Sequence, residues 1–112
     1  MFLRRATSKR SPKVNEPNFD VAWQVGSRIF VAEIKSLTLK NEEKQLRLGL
    51  GQVLRYAYQL NGQFEAVPVL VVERRPSDAS WILLCRQLDV ILTWPAVLAE
   101  SYLTGQKNAP GN

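Results

Sequence analysis

The sequence predicts an α/β domain in which helices pack against a mixed β-sheet, and three observations support this. The chain has 112 residues, which is the length of one domain. Its residues are 46% hydrophobic and 22% charged, a balance typical of globular proteins. A hairpin pattern is followed by alternating helical and strand patterns, so the predicted element order is ββαβαβ with right-handed crossovers.

A β-hairpin opens the predicted domain. Apolar residues alternate with polar or small ones over residues 19–23, and residues 28–35 are rich in β-formers, so both segments are predicted strands. A tight turn centred on residues 26–27 joins them, because the glycine there can adopt a positive φ. With that turn, Asp20 lies directly opposite Glu33 across the hairpin.

Residues 41–60 predict a long amphipathic helix. Apolar residues recur there at helical spacing, at Leu46, Leu50, Val53, Leu54, Ala57 and Leu60. We expect Asn41 to cap the first turn and the Asn-Gly pair at 61–62 to end the helix. Gly49 and Gly51 each cost about 1 kcal/mol relative to alanine in a helix. We therefore expect a neighbouring strand or a ligand to approach the helix closely at these two positions.

The second half of the chain predicts two strands with a helix between them. Residues 66–73 form a nearly continuous apolar run, typical of a strand covered on both faces. A helix capped by Ser77 follows as far as residue 87, and residues 89–94 form the last predicted strand. The apolar side of this second helix carries Trp81, Leu84, Cys85 and Leu88.

The predicted domain spans residues 18–104, with a segment of different character at each end. Residues 1–17 contain two prolines and no clear period, so we expect a basic, mostly irregular segment with a short strand near residues 2–7. A short helix is expected at residues 96–103, and residues 105–112 are expected to form a flexible tail.

The composition excludes several kinds of catalytic site. The chain has no histidine and one cysteine, which excludes Ser-His-Asp and Cys-His arrangements and the usual zinc sites. Acid–base chemistry would depend on carboxylates, lysine, tyrosine or water on a hard metal ion. Cys85 has no partner for an internal disulfide, and no apolar run approaches the ~20 residues of a membrane helix. We therefore expect a cytoplasmic protein without a membrane partner.

Most of the formal net charge of +5 lies near the N-terminus. Residues 1–17 carry one acidic residue, Glu16, and five basic ones, Arg4, Arg5, Lys9, Arg10 and Lys13. Such a segment attracts nucleic-acid phosphates in a salt-dependent way, so the first four of these cations are candidate nucleic-acid-binding residues. The alternative is a solvated terminus without a binding role.

Asp20 and Glu33 form the first candidate site. Two carboxylates opposite each other on a hairpin have Cβ atoms ~4.5–5.5 Å apart and repel each other. Lys35 lies two residues after Glu33, hence on the same strand face, and supplies one positive charge. A divalent cation would supply two more, and carboxylate oxygens are ligands that Mg²⁺ prefers. The alternative is a solvated surface cluster with a weak ion pair.

The polar side of the long helix supplies a second set of candidates. Gln45, Gln52, Tyr56 and Gln59 follow one another at steps of seven, four and three residues, which places them near one line of the helix. Because this helix begins just after the strand that bears Glu33, we expect the row to lie over the same sheet edge, with Gln52 and Tyr56 turned toward the carboxylates. The alternative is an amphipathic helix whose polar side faces solvent.

Taken together, these residues resemble the PD-(D/E)xK nuclease superfamily, in its branch with a Gln-x-x-x-Tyr motif on the helix after the ExK strand. The motifs of that branch have counterparts in Asp20, Glu33-Ile34-Lys35 and Gln52-x-x-x-Tyr56. The resemblance covers about residues 18–95 and is strongest over residues 32–56. It implies a restriction-endonuclease-like fold, in which helices flank a mixed sheet.

The resemblance also implies hydrolysis of DNA phosphodiester bonds with Mg²⁺ or Mn²⁺ as cofactor. Asp20 and Glu33 would bind the metal ion, with the Ile34 carbonyl as a further ligand. Lys35 would orient or deprotonate the attacking water. Gln52 and Tyr56 would position the DNA backbone or a metal-bound water. The implied catalytic residues are Asp20, Glu33, Lys35, Gln52 and Tyr56, and the implied DNA-binding residues of the domain are Lys35, Gln45, Gln52 and Tyr56.

Two features depart from the family pattern. Phe19 precedes Asp20 where the family usually has proline, and no helix with an acidic residue is predicted before Asp20 to complete the metal site. The metal shell is then incomplete, or another chain supplies the first helix, as in a homodimer, or the sequence is part of a longer protein. The alternative function is a catalytically inactive nuclease-like module that binds DNA or a protein.

Overall fold

The structure, a computed structural model, describes residues 8–10 and 19–97. Five strands and two helices lie within these residues. In chain order they are β1 Ser8–Arg10, β2 Val21–Val25, β3 Arg28–Lys35, α1 Glu42–Leu60, β4 Glu65–Val72, α2 Ser80–Gln87 and β5 Ile91–Thr93. From β2 onward the observed element order is the predicted one.

The strands form one mixed sheet in the order β1-β2-β3-β4-β5. β2 pairs antiparallel with both β1 and β3, whereas β3, β4 and β5 pair parallel. α1 and α2 connect successive parallel strands in the same direction across the sheet, so right-handed crossovers place both helices on one face. They share a core built from Leu46 and Val53 of α1, Leu70 of β4, and Trp81 and Cys85 of α2. The chain is thus a small α/β domain with a mixed sheet.

The β2–β3 hairpin has the predicted register. Val21 pairs with Ala32 and Val25 pairs with Arg28, and the turn between them contains Gly26 at φ 60°. A glycine suits this turn because a positive φ costs it no steric penalty. The register decides which side chains share a face of the sheet, and so it positions every candidate residue on these two strands.

The two faces of β3 bury different groups. Ile29 and Val31 belong to the cluster beneath α1, whereas Phe30 packs in a separate cluster on the opposite face. Side chains alternate along a strand, so Glu33 and Lys35 continue the series of Ile29 and Val31. Both charged side chains therefore lie on the face that α1 covers.

Asn41 occupies the predicted N-cap position of α1 but makes no side-chain cap bond, whereas the predicted Ser77 N-cap of α2 is wrong. The Asn41 Oδ1 atom accepts the Thr38 main-chain N–H at 2.7 Å and makes no cap bond to α1. Ser77 instead donates through its main-chain N–H and its hydroxyl to the Glu42 carboxylate. α2 consequently begins at Ser80, with Ala79 in the N-cap position.

The predicted apolar side of α2 is only partly buried. Trp81 and Cys85 are buried, whereas Leu84 and Leu88 are 38% and 41% exposed. Trp81 and Cys85 are four residues apart and form the line that faces the core, while the two leucines lie at its solvent edge. The predicted end of α1 is confirmed, since α1 ends at Leu60 and its C-cap is Asn61.

The predictions for the two ends of the chain have mixed outcomes. The expectation of irregular structure over residues 1–17 is wrong for Ser8–Arg10, which pairs with β2. This pairing uses main-chain groups and needs no hydrophobic period in the sequence. The strand expected near residues 2–7 and the tail at 105–112 lie outside the described residues. Of the helix expected at 96–103, the structure describes residues 96–97, which are helical. No helix among the described residues is long and apolar enough to cross a membrane.

Candidate functional site

Asp20 directly precedes β2 and lies beside Glu33 of β3. Its main-chain N–H donates to the Ala32 carbonyl at 3.2 Å, which extends the hairpin register by one residue. Its Oδ2 atom accepts the Ile34 main-chain N–H at 2.9 Å. The charge of Asp20 acts directly on the pKa of Glu33. The predicted juxtaposition of the two carboxylates is therefore confirmed.

Glu33 carries a buried charge that its neighbours compensate only in part. Glu33 is 6% exposed. Its burial and, to a smaller extent, the charge of Asp20 raise the pKa of its carboxyl above the usual 4.5. Lys35 opposes this rise, with its Nζ atom 3.3 Å from Glu33 Oε2. The other oxygen, Oε1, is buried and accepts no hydrogen bond from any residue that the structure describes. The site thus presents an unpaired, buried carboxylate oxygen.

Lys35 reaches Glu33 through a gap that Gly49 of α1 leaves open. A Cβ atom at Gly49 would lie 3.1 Å from Lys35 Cγ and 2.5 Å from Leu70 Cδ1. The close approach predicted at Gly49 is confirmed, and the neighbours are β3 and β4. At Gly51 the predicted close approach of a strand does not occur, because a Cβ atom there would meet nothing within 4 Å.

Gln52 and Tyr56 of α1 face the carboxylate pair, as predicted from their spacing. Burial, and then the charge of Glu33, raises the pKa of the Tyr56 hydroxyl above the usual 10.0. Asp20 adds to this rise and Gln52 opposes it, so all four side chains share one electrostatic environment. The Gln52 Oε1 atom is buried and, like Glu33 Oε1, accepts no hydrogen bond.

The remaining candidates lie elsewhere. Gln45 Nε2 donates to the Ser36 carbonyl at 3.3 Å, so this amide ties α1 to the end of β3. Gln59 is exposed. Lys9 and Arg10 belong to β1, while Arg4 and Arg5 lie outside the described residues. The DNA-binding role assigned to Gln45 and to the basic N-terminal residues stays a prediction.

Glu42 is a second buried carboxylate, and its structural role was not identified from the sequence. Glu42, 7% exposed, accepts hydrogen bonds from Arg74 Nη1 at 2.8 Å, Ser77 N at 2.8 Å and Asp78 N at 3.3 Å. Burial on its own would raise the pKa of Glu42, but these bonds hold it below the usual value. Its partners are more than thirty residues away along the chain, so no local pattern indicates this cluster.

Metal ligands are few in the described residues. No cluster of three or more Asp, Glu, His or Cys side chains suited to a metal ion occurs within residues 8–10 and 19–97. The Oε1 atom of Gln52, on the helix that covers this face, is one further buried oxygen without a hydrogen bond. The Ile34 side chain is a hydrocarbon without a donor atom, so only the main-chain carbonyl of Ile34 could serve as a ligand.

Comparison with known proteins does not assign the chain to a family. No family model, no curated protein and no solved structure matches it.

Proposed function

We propose that this chain is a metal-dependent DNA nuclease domain of the PD-(D/E)xK type, with a restriction-endonuclease-like fold and a cytoplasmic location. One observation carries the proposal: a buried carboxylate, a second carboxylate, a lysine, an amide and a tyrosine meet on one face of the sheet. They come from β3, from α1 and from the residue that directly precedes β2. The group consists of Asp20, Glu33, Lys35, Gln52 and Tyr56.

The oxygen atoms of this group suit Mg²⁺ or Mn²⁺. Mg²⁺ is commonly held by one or two carboxylates and completes its octahedral shell with water and substrate phosphate oxygens. Asp20 and Glu33 would hold the ion, with the Ile34 carbonyl as a further ligand, and the unpaired Glu33 Oε1 atom favours a cation. Such an ion, when bound, neutralises charge on a phosphate and lowers the pKa of water.

The protein's own residues would position the substrate around this pair. Lys35, 3.3 Å from Glu33 and largely buried, can orient water and place a positive charge against the reacting phosphate. The Tyr56 hydroxyl, whose pKa lies above the usual 10.0, carries its proton at neutral pH and can donate a hydrogen bond to a phosphate oxygen. Gln52 can donate through its amide nitrogen. In hydrolysis the water oxygen bonds to phosphorus, one backbone P–O bond breaks, and the leaving oxygen takes a proton.

A plasmid-nicking assay tests the proposal. Wild-type protein should cut with Mg²⁺ or Mn²⁺ and not with EDTA, while Glu33→Ala and Lys35→Ala should lose cutting by orders of magnitude. Lys35→Ala should still bind DNA, since it removes one of many phosphate contacts. Arg28→Ala is the matched control, because Arg28 is an exposed cation at the opposite end of β3 and pairs with Glu65. Cutting that persists in EDTA or in Glu33→Ala contradicts the proposal.

A catalytically inactive DNA-binding module is the second candidate. One observation favours it: the Ile34 N–H already occupies Asp20 Oδ2, and Lys35 already occupies Glu33 Oε2. Two of the four carboxylate oxygens therefore have partners without any metal. Such a module would retard DNA in a gel without metal and would never cut it.

A further inference from the structure

The exposed side of α1 carries a strip beside the candidate site. Lys44, Gly51 and Arg55, here named the α1 strip, are all exposed and directly precede Gln45, Gln52 and Tyr56 in the chain. Steps of seven and four residues keep the three positions near one line of the helix. The strip therefore runs alongside the row that contains the two site residues of α1.

The two cations of the strip have no acidic partner among residues 8–10 and 19–97. Neither Lys44 nor Arg55 forms an ion pair in the described part of the chain. By contrast, Arg47, one helical turn from Lys44, is paired with Glu43 at 2.9 Å. Within the part of the chain that the structure describes, the strip thus presents two unpaired positive charges, about 16 Å apart at 1.5 Å per residue. One strand of duplex DNA carries about five phosphates over that length.

Gly51 lies between the two cations, and the fold does not require a glycine there. A Cβ atom at this position would meet nothing within 4 Å, and Gly51 is at an interior position of α1. Glycine at an interior helix position costs about 1 kcal/mol relative to alanine. Without a side chain at this point, a ligand can approach the helix backbone closely.

We propose that the α1 strip binds the phosphate backbone of DNA and guides it to the candidate site, an inference that rests on the proposed nuclease function. Lys44 and Arg55 contact phosphates on either side of Gly51, where the strand lies closest to the helix. The positive charge of the strip matches the polyanion, and its adjacency to Gln52 and Tyr56 places the strand next to Glu33.

Binding of a fluorescently labelled DNA duplex, measured by anisotropy across a salt series in EDTA, tests this inference. Lys44→Gln combined with Arg55→Gln should lower the slope of log K against log salt by about 2 and weaken binding about tenfold at low salt. Arg28→Gln, the control, removes one exposed positive charge at the far end of β3 and should keep the wild-type slope. Gly51→Gln should melt no lower than wild type and bind several-fold more weakly, whereas Gly51→Ala should bind normally.

The outcomes separate the two proposals. The strip is excluded if the double variant keeps the wild-type slope, if Arg28→Gln loses binding equally, or if wild type binds no DNA. Binding through Lys44 and Arg55 without any cutting in Mg²⁺ contradicts the nuclease and supports the strip. Cutting with an unchanged salt slope supports the nuclease and excludes the strip.

Discussion

Asp20 Oδ2 accepts the main-chain N–H of Ile34 at 2.9 Å, which fixes the first carboxylate of the site to the strand that carries the second. This hydrogen bond involves the Oδ2 atom of Asp20 and not its Oδ1 atom. On Glu33 the arrangement is similar, since Lys35 engages Oε2 and leaves Oε1 unpaired. Each carboxylate is therefore held through one oxygen by a donor of β3, and the Oε1 atom of Glu33 is the one left buried without a hydrogen bond.

Neutralising Glu33 should stabilise the metal-free protein at neutral pH. The folded-state pKa of Glu33 lies above 4.5, so the protonated carboxyl stabilises the folded protein. This contribution to stability is fully present below pH 4.5 and is lost as the pH rises through the folded-state pKa. Glu33→Gln should raise the free energy of unfolding at pH 7 by up to about 1 kcal/mol. The gain should vanish below pH 4.5. Urea unfolding across pH measures it, and a large loss at pH 7 would mean that the ion pair with Lys35 dominates.

Mg²⁺ or Mn²⁺ should raise the melting temperature of the wild-type protein. A ligand that binds only the folded state stabilises it in proportion to the logarithm of its concentration. Glu33→Gln and Asp20→Asn should abolish this rise, since each removes a charged ligand. Differential scanning fluorimetry with and without metal measures the effect independently of DNA cutting. Glu65→Gln, an exposed carboxylate in a surface pair with Arg28, should leave the rise unchanged.

Tyr56→Phe should separate substrate positioning from folding. The substitution keeps the ring that packs against the cluster of Ile29 and Val31 and removes only the hydroxyl that faces Glu33. Stability should change by about 1 kcal/mol or less, while the cutting rate at saturating DNA should fall at least about tenfold. Chemical denaturation and single-turnover cutting check the two values. An unchanged cutting rate would remove Tyr56 from the site.

Gly49→Ala should destabilise the protein, and Gly51→Ala should stabilise it. At Gly49 a methyl group would meet the fully buried Leu70 side chain and the stem of Lys35, which overpacks the core at a cost of about 1–3 kcal/mol. At Gly51 it would meet only solvent, so the helix gains up to about 1 kcal/mol. Thermal melting of the two variants measures the difference. Leu70→Val should partly rescue Gly49→Ala, and equal effects at both glycines would contradict the packing at Gly49.

Glu42→Gln should destabilise the protein by about 1–3 kcal/mol, since it weakens the buried bonds to Arg74 and Ser77. The folded-state pKa of Glu42 lies below 4.5, so its contribution is present above pH 4.5 and is lost as pH falls through the folded-state pKa. The difference between variant and wild type should therefore shrink in acid. Glu65→Gln, at an exposed pair, should cost under about 1 kcal/mol. Denaturant titrations at pH 7 and in acid measure both variants.

Local patterns predicted most of the elements of this fold. The hairpin register followed from one glycine turn, because a two-residue turn leaves a single pairing that keeps the apolar residues on the covered faces. Spacing along one helix likewise predicted that Gln52 and Tyr56 face the carboxylates. Asn41 is the N-cap of α1 as predicted, but neither predicted side-chain cap bond forms, since Asn41 Oδ1 accepts the Thr38 main-chain N–H and Ser77 binds Glu42.

The sequence by itself determined which residues share a strand face or a helix line, because periods of 2 and 3.6 residues are properties of the backbone. It thereby determined that Asp20, Glu33 and Lys35 form one group. Only the tertiary structure decided that Gly49 is a packing requirement and Gly51 is not, because that depends on which strand lies beneath each turn of α1. It also decided that Glu42 is a buried structural carboxylate, since the donors that hold it arrive from a distant segment after the chain folds.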